Sequence, residues 1–61
     1  MMSLKQARRS KERAYTRFLR ARRAARLSGD SILSAEAEIL YEDWVRRSAR
    51  FDYLLEEATK R

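Results

Sequence analysis

Cysteine, histidine and proline are absent from this chain of 61 residues, and glycine occurs once. Without Cys or His there is neither a disulfide nor the usual set of zinc ligands. The absence of His also removes the commonest general acid or base of enzymes. A chain this short buries little surface, so without disulfides or metal it is only marginally stable unless it associates with another chain. The lack of Cys fits a reducing compartment, and we expect a cytoplasmic location.

Long apolar runs are lacking too, since the longest spans residues 39–41. A membrane span needs about 20 apolar residues, so we expect no membrane partner. Gly29 stands alone, which excludes a glycine-rich phosphate loop. Glu38 and Glu42 lie one helical turn apart and could contact a cation together, but the Glu-x-x-His pattern of helical metal sites is missing. We interpret them as part of a solvent-exposed helix face. We therefore expect no catalytic residue, metal, cofactor or small-molecule substrate, and a protein that is not an enzyme.

The one break in the chain lies around the single glycine, between two long stretches of helical spacing. Gly29 suits the left-handed position that follows a helix C-terminus, and Asp30 or Ser31 can cap the next helix. So short a connection makes the two helices antiparallel. The sequence therefore predicts one all-α domain over residues 1–61, an antiparallel hairpin with a helix at about 3–28, a turn at 28–31 and a helix at about 31–60.

Each predicted helix has an apolar stripe. The stripe of the first helix is mostly Ala and is interrupted by Lys11. The stripe of the second helix alternates steps of four and three residues, and small side chains opposite large ones pack well in a close hairpin. We expect the hairpin core or an oligomer interface to contain Phe18, Trp44, Phe51 and Leu55.

A second apolar set, formed by Ile32, Ile39 and Tyr53, does not face the first stripe of its helix. Isolated two-helix hairpins are rarely stable, so we expect a second copy to cover this set, giving a homodimer with four helices in a bundle. The same residues also fit two other readings, a docking surface for a different protein and scattered surface apolar residues of the ordinary kind.

Charge is divided unequally between the two helices. Residues 1–30 carry ten Lys or Arg against two acids, while residues 31–61 carry five bases against seven acids. The second helix repeatedly places an acid four residues before a base, a spacing that stabilises a helix by a few tenths of a kcal/mol per pair. These pairs are Glu42 with Arg46, Asp43 with Arg47, Glu56 with Lys60 and Glu57 with Arg61. The first helix instead places like charges at that spacing.

A helical wheel puts four of the eight arginines of the first helix on the face opposite Phe18, with Arg17 at one margin. Arg is the side chain that pairs best with phosphate, and a one-sided basic face typically binds an anionic partner. The candidate nucleic-acid-binding residues are Arg9, Arg13, Arg17, Arg20 and Arg23. Alternatives are binding to an acidic protein surface, plain solvated charge, and neutralisation of some of these bases by Glu36, Asp43 or Asp52 across the hairpin or dimer.

Two functional hypotheses follow from these patterns. In the first, a small basic regulatory protein contacts the phosphate backbone of DNA or RNA through its Arg-rich helix. In the second, a protein-interaction module, either a phage- or plasmid-type modulator or a small subunit of a larger assembly, docks through Ile32, Ile39 and Tyr53. In that case the Arg face steers the chain to an acidic protein surface.

Overall fold

The computed structural model describes residues 2–60 as two helices, α1 (Leu4–Ser28) and α2 (Ser31–Thr59), which pack against each other. Three contacts join the helices: Lys11 with Phe51, Tyr15 with Trp44 and Phe18 with Tyr41. The residue numbers rise in α1 and fall in α2, so the helices are antiparallel. The all-α hairpin predicted from the sequence is confirmed. Its dimensions, 48 × 16 × 14 Å, are those of two helices side by side.

Both helices begin at side chains that accept hydrogen bonds from free backbone N–H groups. Ser3 and Gln6 form a reciprocal pair at the start of α1, because the Gln6 N–H donates to Ser3 Oγ at 3.1 Å and the Ser3 N–H donates to Gln6 Oε1 at 3.0 Å. Of the two caps considered for α2, Asp30 takes the position, and its Oδ1 accepts from the Ile32 N–H at 2.8 Å. Each helix therefore has a fixed first turn.

Gly29 ends α1 in the left-handed region, with φ 68° and ψ 14°. Its N–H donates to the Ala25 carbonyl at 2.9 Å, which satisfies one of the free carbonyls of the last turn. Nothing lies within 4 Å of where a Cβ would stand, so a side chain here meets backbone strain and no steric clash. The chain reverses at this residue because glycine adopts a positive φ without strain.

Replacing Gly29 with Ala therefore tests the turn. We expect the free energy of unfolding to fall by about 1 kcal/mol, which for a chain of this size lowers the thermal midpoint by roughly 4–8 °C. Thermal unfolding followed by circular dichroism measures the shift. Gly29→Asn is the control and should cost less, because Asn tolerates the left-handed region. A rise in helicity and thermal midpoint for Gly29→Ala would instead indicate a helix continuing through residue 29.

The inner face of α2 repeats every seven residues. One series of half-buried or buried positions is Ala37, Trp44 and Phe51, and a second comprises Leu33, Leu40, Arg47 and Leu54. On α1 the corresponding positions include Ala7 and Ala14, only 1% and 2% exposed. A seven-residue repeat gives 3.5 residues per turn, the spacing by which two helices keep one face in contact along their length.

Four aromatic rings, here called the aromatic cluster, join the middle of the two helices: Tyr15, Phe18, Tyr41 and Trp44. The Phe18 and Trp44 rings are stacked with centroids 6.2 Å apart, and the Tyr15 ring lies 4.9 Å from Trp44. Lys11, which interrupts the apolar stripe of α1, places its Nζ 4.6 Å from the centroid of the Phe51 ring. A cation above an aromatic face is attractive, so this lysine is accommodated at the interface.

Leu55 differs from the expectation that it lies with Trp44 and Phe51 on the inner face. It is 41% exposed, while its neighbour Leu54 is half-buried. The seven-residue repeat explains this difference in exposure. Leu54 continues the inner series of Leu40 and Arg47, whereas Leu55 lies seven residues after Ser48, at the edge of the inner face. Counting steps of four and three residues did not distinguish the centre of the face from its edge.

The hydrophobic core of the hairpin is thin. The buried residues among 2–60 are four alanines, Ala7, Ala14, Ala25 and Ala37, and no large side chain there is fully buried. The radius of gyration of 14.1 Å exceeds the roughly 10 Å of a compact chain of this length. Much of the apolar surface of this chain therefore stays in contact with solvent.

Candidate nucleic-acid interface

The arginines of α1 lie on the side of the helix that faces away from α2. Arg9, Arg13, Arg20 and Arg23 occupy heptad positions opposite the buried alanines, and all are exposed. Arg17 is also exposed and lies at the margin of this face. At 1.5 Å per residue the arginines from 9 to 23 extend over about 21 Å. These five residues are called the Arg face below.

A shallow open groove runs along most of the Arg face. Its lining includes four of the five predicted arginines, Arg9, Arg13, Arg17 and Arg20, together with Glu12 and Thr16. Arg23 is exposed one turn further along α1 and does not line this groove. The structure therefore brings four candidate side chains together around one concave surface, with guanidinium groups in solvent and free to meet an anion.

The bases of α1 form no ion pair within the part of the chain that the structure describes. Residues 2–60 contain three ion pairs, and all three lie within α2 and its C-cap residue, Lys60. Two of them join Lys60 to Glu56 and Glu57 at 3.7 and 3.6 Å on the exposed last turn, where such pairs contribute little to stability. Glu42 and Arg46 do not form the pair expected from their spacing, and Glu57 with Arg61 falls outside the described residues.

Among residues 2–60, no acid of α2 forms an ion pair with the Arg face. Asp43, one of the three acids considered for neutralising this face, pairs with Arg47 on its own helix, the Arg47 Nε lying 3.0 Å from both carboxylate oxygens. Glu36 and Asp52 take part in none of the ion pairs of residues 2–60. The ten bases of α1 therefore repel one another and, among the described residues, no acid of α2 contacts them as an ion pair.

Arg47 also joins the two helices, which the sequence did not predict. Its Nη1 donates a hydrogen bond to the Ser10 hydroxyl of α1. Asp43 and Arg47 are part-buried, with side chains 29% and 42% exposed. The expected pair thus belongs to the helix interface. Arg47 lies seven residues after Leu40 and seven before Leu54, and this spacing is the sequence signal that places it at the interface.

The second apolar set lies on the opposite side of α2 from α1. Ile32, Ile39 and Tyr53 are 68%, 64% and 62% exposed, among the most exposed large apolar residues described. They share one column of the seven-residue repeat with Arg46, and Ala35 and Ala49 belong to the adjacent column. The surface these two columns form is called the outer face of α2, and its large apolar side chains stay exposed among the described residues.

Among residues 2–60 there is no group of three or more His, Cys, Asp or Glu side chains placed to hold a metal ion. Neither described helix has an apolar stretch sufficient to cross a membrane. The tyrosines nearest the Arg face, Tyr15 and Tyr41, are engaged in the aromatic cluster and do not line the arginine groove.

No family model matches the chain, and no curated protein or solved structure is significantly similar to it.

Proposed function

We propose that this chain is a small non-enzymatic nucleic-acid-binding protein whose Arg face lies along the phosphate backbone of a duplex or structured RNA. The observation that carries the proposal is that ten exposed or half-buried bases share one helix and form no ion pair within the described residues. Uncompensated positive charge is relieved when a row of phosphates lies against it, and the release of counterions from the nucleic acid favours this binding.

The side chains of the Arg face favour phosphate contact over recognition of bases. Phosphate contacts position a protein on nucleic acid without reading its sequence. Base stacking would require aromatic rings among the arginines, and the four rings of the aromatic cluster contact one another across the hairpin. We therefore expect binding with little sequence preference and with a preference for duplexes over unstructured single strands.

The proposed active form is a homodimer, a four-helix assembly of two hairpins. The thin alanine core and the exposed apolar residues support this, because a chain of this size gains stability when a second copy covers apolar surface. A dimer also doubles the number of arginines available to one nucleic acid or to two neighbouring ones. Two linked binding surfaces raise affinity without any new type of contact.

A gel-shift experiment tests the proposed binding. Duplex DNA, duplex RNA and single strands of mixed sequence are each titrated with the protein at low salt. We expect both duplexes to shift at lower protein concentrations than the single strands, and an increase in salt to reverse the shift. The absence of any shift at low salt would contradict the proposal.

The second candidate function, docking to another protein, is favoured by the exposure of Ile32, Ile39 and Tyr53 at 68%, 64% and 62%. Under this hypothesis the Arg face steers the chain toward an acidic partner. A pull-down from lysate, with and without nuclease treatment, separates the two functions. A discrete protein band that survives nuclease and disappears with Ile39→Asp supports docking, whereas co-purifying nucleic acid released by high salt supports the first proposal.

A further inference from the structure

We propose that the outer face of α2 binds the same face of a second copy in an antiparallel arrangement centred near residue 44. This rests on the homodimer of the proposed function and specifies its interface. The outer face consists of two heptad columns, one with Ile32, Ile39, Arg46 and Tyr53 and one with Ala35, Glu42, Ala49 and Glu56. Alternating columns of this kind are the pattern by which one helix packs against another along its length.

Charge selects the antiparallel orientation. In a parallel pair in register, Glu42 would meet Glu42 and Arg46 would meet Arg46 of the second copy, and like charges at an interface are unfavourable. In the antiparallel pair centred near residue 44, Glu42 of each chain meets Arg46 of the other. Both side chains are exposed, and the Glu42–Arg46 pair within one helix is not formed in this structure. Both are therefore available for a partner.

Side-chain volume selects the same register. With Glu42 opposite Arg46, Ala35 meets Tyr53 and Ile39 meets Ala49 of the second copy, so these large side chains lie against small ones. Ile32, at the two ends of the interface, meets the one remaining charged residue of the columns, Glu56. Shifting one copy by seven residues would place Ile39 opposite Glu42 and Ala35 opposite Arg46, which pairs apolar with charged side chains. As in any antiparallel pair of identical helices, a two-fold axis relates the two copies, and this is the commonest symmetry of homodimers.

The location of this interface determines the shape of the dimer. The outer face of α2 lies opposite α1, so a second copy bound there extends the hairpin into a row of four helices, α1–α2–α2–α1, and does not close a bundle around one core. With neighbouring axes 8–10 Å apart, the two α1 axes are about 24–30 Å apart. The two Arg faces then lie on opposite sides of the dimer and are both free.

Charge-swapped variants test the interface, with dimer dissociation measured by sedimentation equilibrium in the absence of nucleic acid. We expect the wild type to be dimeric at micromolar concentration. Glu42→Arg and Arg46→Glu should each raise the dissociation constant by roughly tenfold or more, since each creates two like-charge contacts. The double variant Glu42→Arg with Arg46→Glu should return the constant to within about threefold of wild type.

Glu38→Arg is the matched control, because it makes the same change of charge one turn away and outside the two columns. It should leave the dissociation constant unchanged. Circular dichroism of each variant measures folding separately. If the single variants lose helicity, the return of dimerisation in the double variant is still measurable. A monomeric wild type, single variants that dimerise normally, or a double variant without rescue would overturn the inference. Sedimentation measures the mass of the protein alone, so a failure of this inference is distinguishable from a failure of nucleic-acid binding, which the gel shift tests.

Discussion

Replacing Arg9, Arg13 and Arg20 together with Glu is expected to abolish binding to nucleic acid. The three residues are exposed on the side of α1 away from α2, so their reversal removes phosphate contacts without disturbing the helix interface. Each reversal removes two positive charges, which brings the formal net charge of the chain from +6 to 0. We expect the affinity for duplex DNA or RNA to fall at least about a hundredfold at low salt, measured by fluorescence anisotropy.

A variant with the same net charge controls for the overall field of the protein. Lys5, Arg26 and Arg50 are exposed and lie outside the Arg face, and their joint replacement with Glu makes the identical change in charge. This control should bind several-fold more weakly than wild type yet far more tightly than the Arg9, Arg13 and Arg20 variant. Circular dichroism should show helicity in both. Equal loss of affinity in the two variants would mean that net charge, and no particular face, governs binding.

Replacing Trp44 with Ala is expected to unfold the chain. Trp44 contacts three other rings of the aromatic cluster, with centroids 4.9 Å from Tyr15, 5.8 Å from Tyr41 and 6.2 Å from Phe18. Truncation of a buried Trp costs about 3–5 kcal/mol, and even the lower end of this range for the half-buried Trp44 is comparable with the whole stability of a small domain. We expect most of the helical circular dichroism signal and the association to be lost together at 25 °C.

Leu27→Ala provides the comparison for this experiment. Leu27 is 81% exposed near the end of α1, so its truncation removes apolar atoms that make little contact. Its thermal midpoint should lie within a few degrees of wild type, since surface substitutions usually change stability by less than about 0.5 kcal/mol. A Trp44→Ala variant that stays helical with a similar midpoint would show that the aromatic cluster does not stabilise the hairpin.

The hairpin could be predicted from the sequence because its determinants are local. One glycine followed by a capping Asp marks the turn, and the observed left-handed φ of 68° at Gly29 is the conformation that this residue type allows. Periodic apolar residues over more than twenty positions on either side predict helices of that length. Dimerisation was also expected from these patterns, and we propose it on the thin core and the exposed apolar residues.

The side-chain arrangement was less predictable, because the register between two helices depends on both at once. Leu54 and Leu55 are adjacent and chemically identical, and only the seven-residue repeat shared with α1 decides which lies inside. Likewise, the spacing of Asp43 and Arg47 predicts their ion pair, but the hydrogen bond from Arg47 to Ser10 depends on how α1 lies against α2. The exposure of the Arg face followed more directly, since no apolar residue competes for those positions.

The salt dependence of binding tests the central claim that the Arg face contacts phosphates. The dissociation constant for a short duplex is measured by fluorescence anisotropy at several salt concentrations between about 50 and 300 mM. Each phosphate contact contributes about 0.9 to the slope of log affinity against log salt, so five contacts from Arg9, Arg13, Arg17, Arg20 and Arg23 predict a slope near −4.5 per protomer. A slope between 0 and about −1, or no measurable binding at the lowest salt, would contradict the claim.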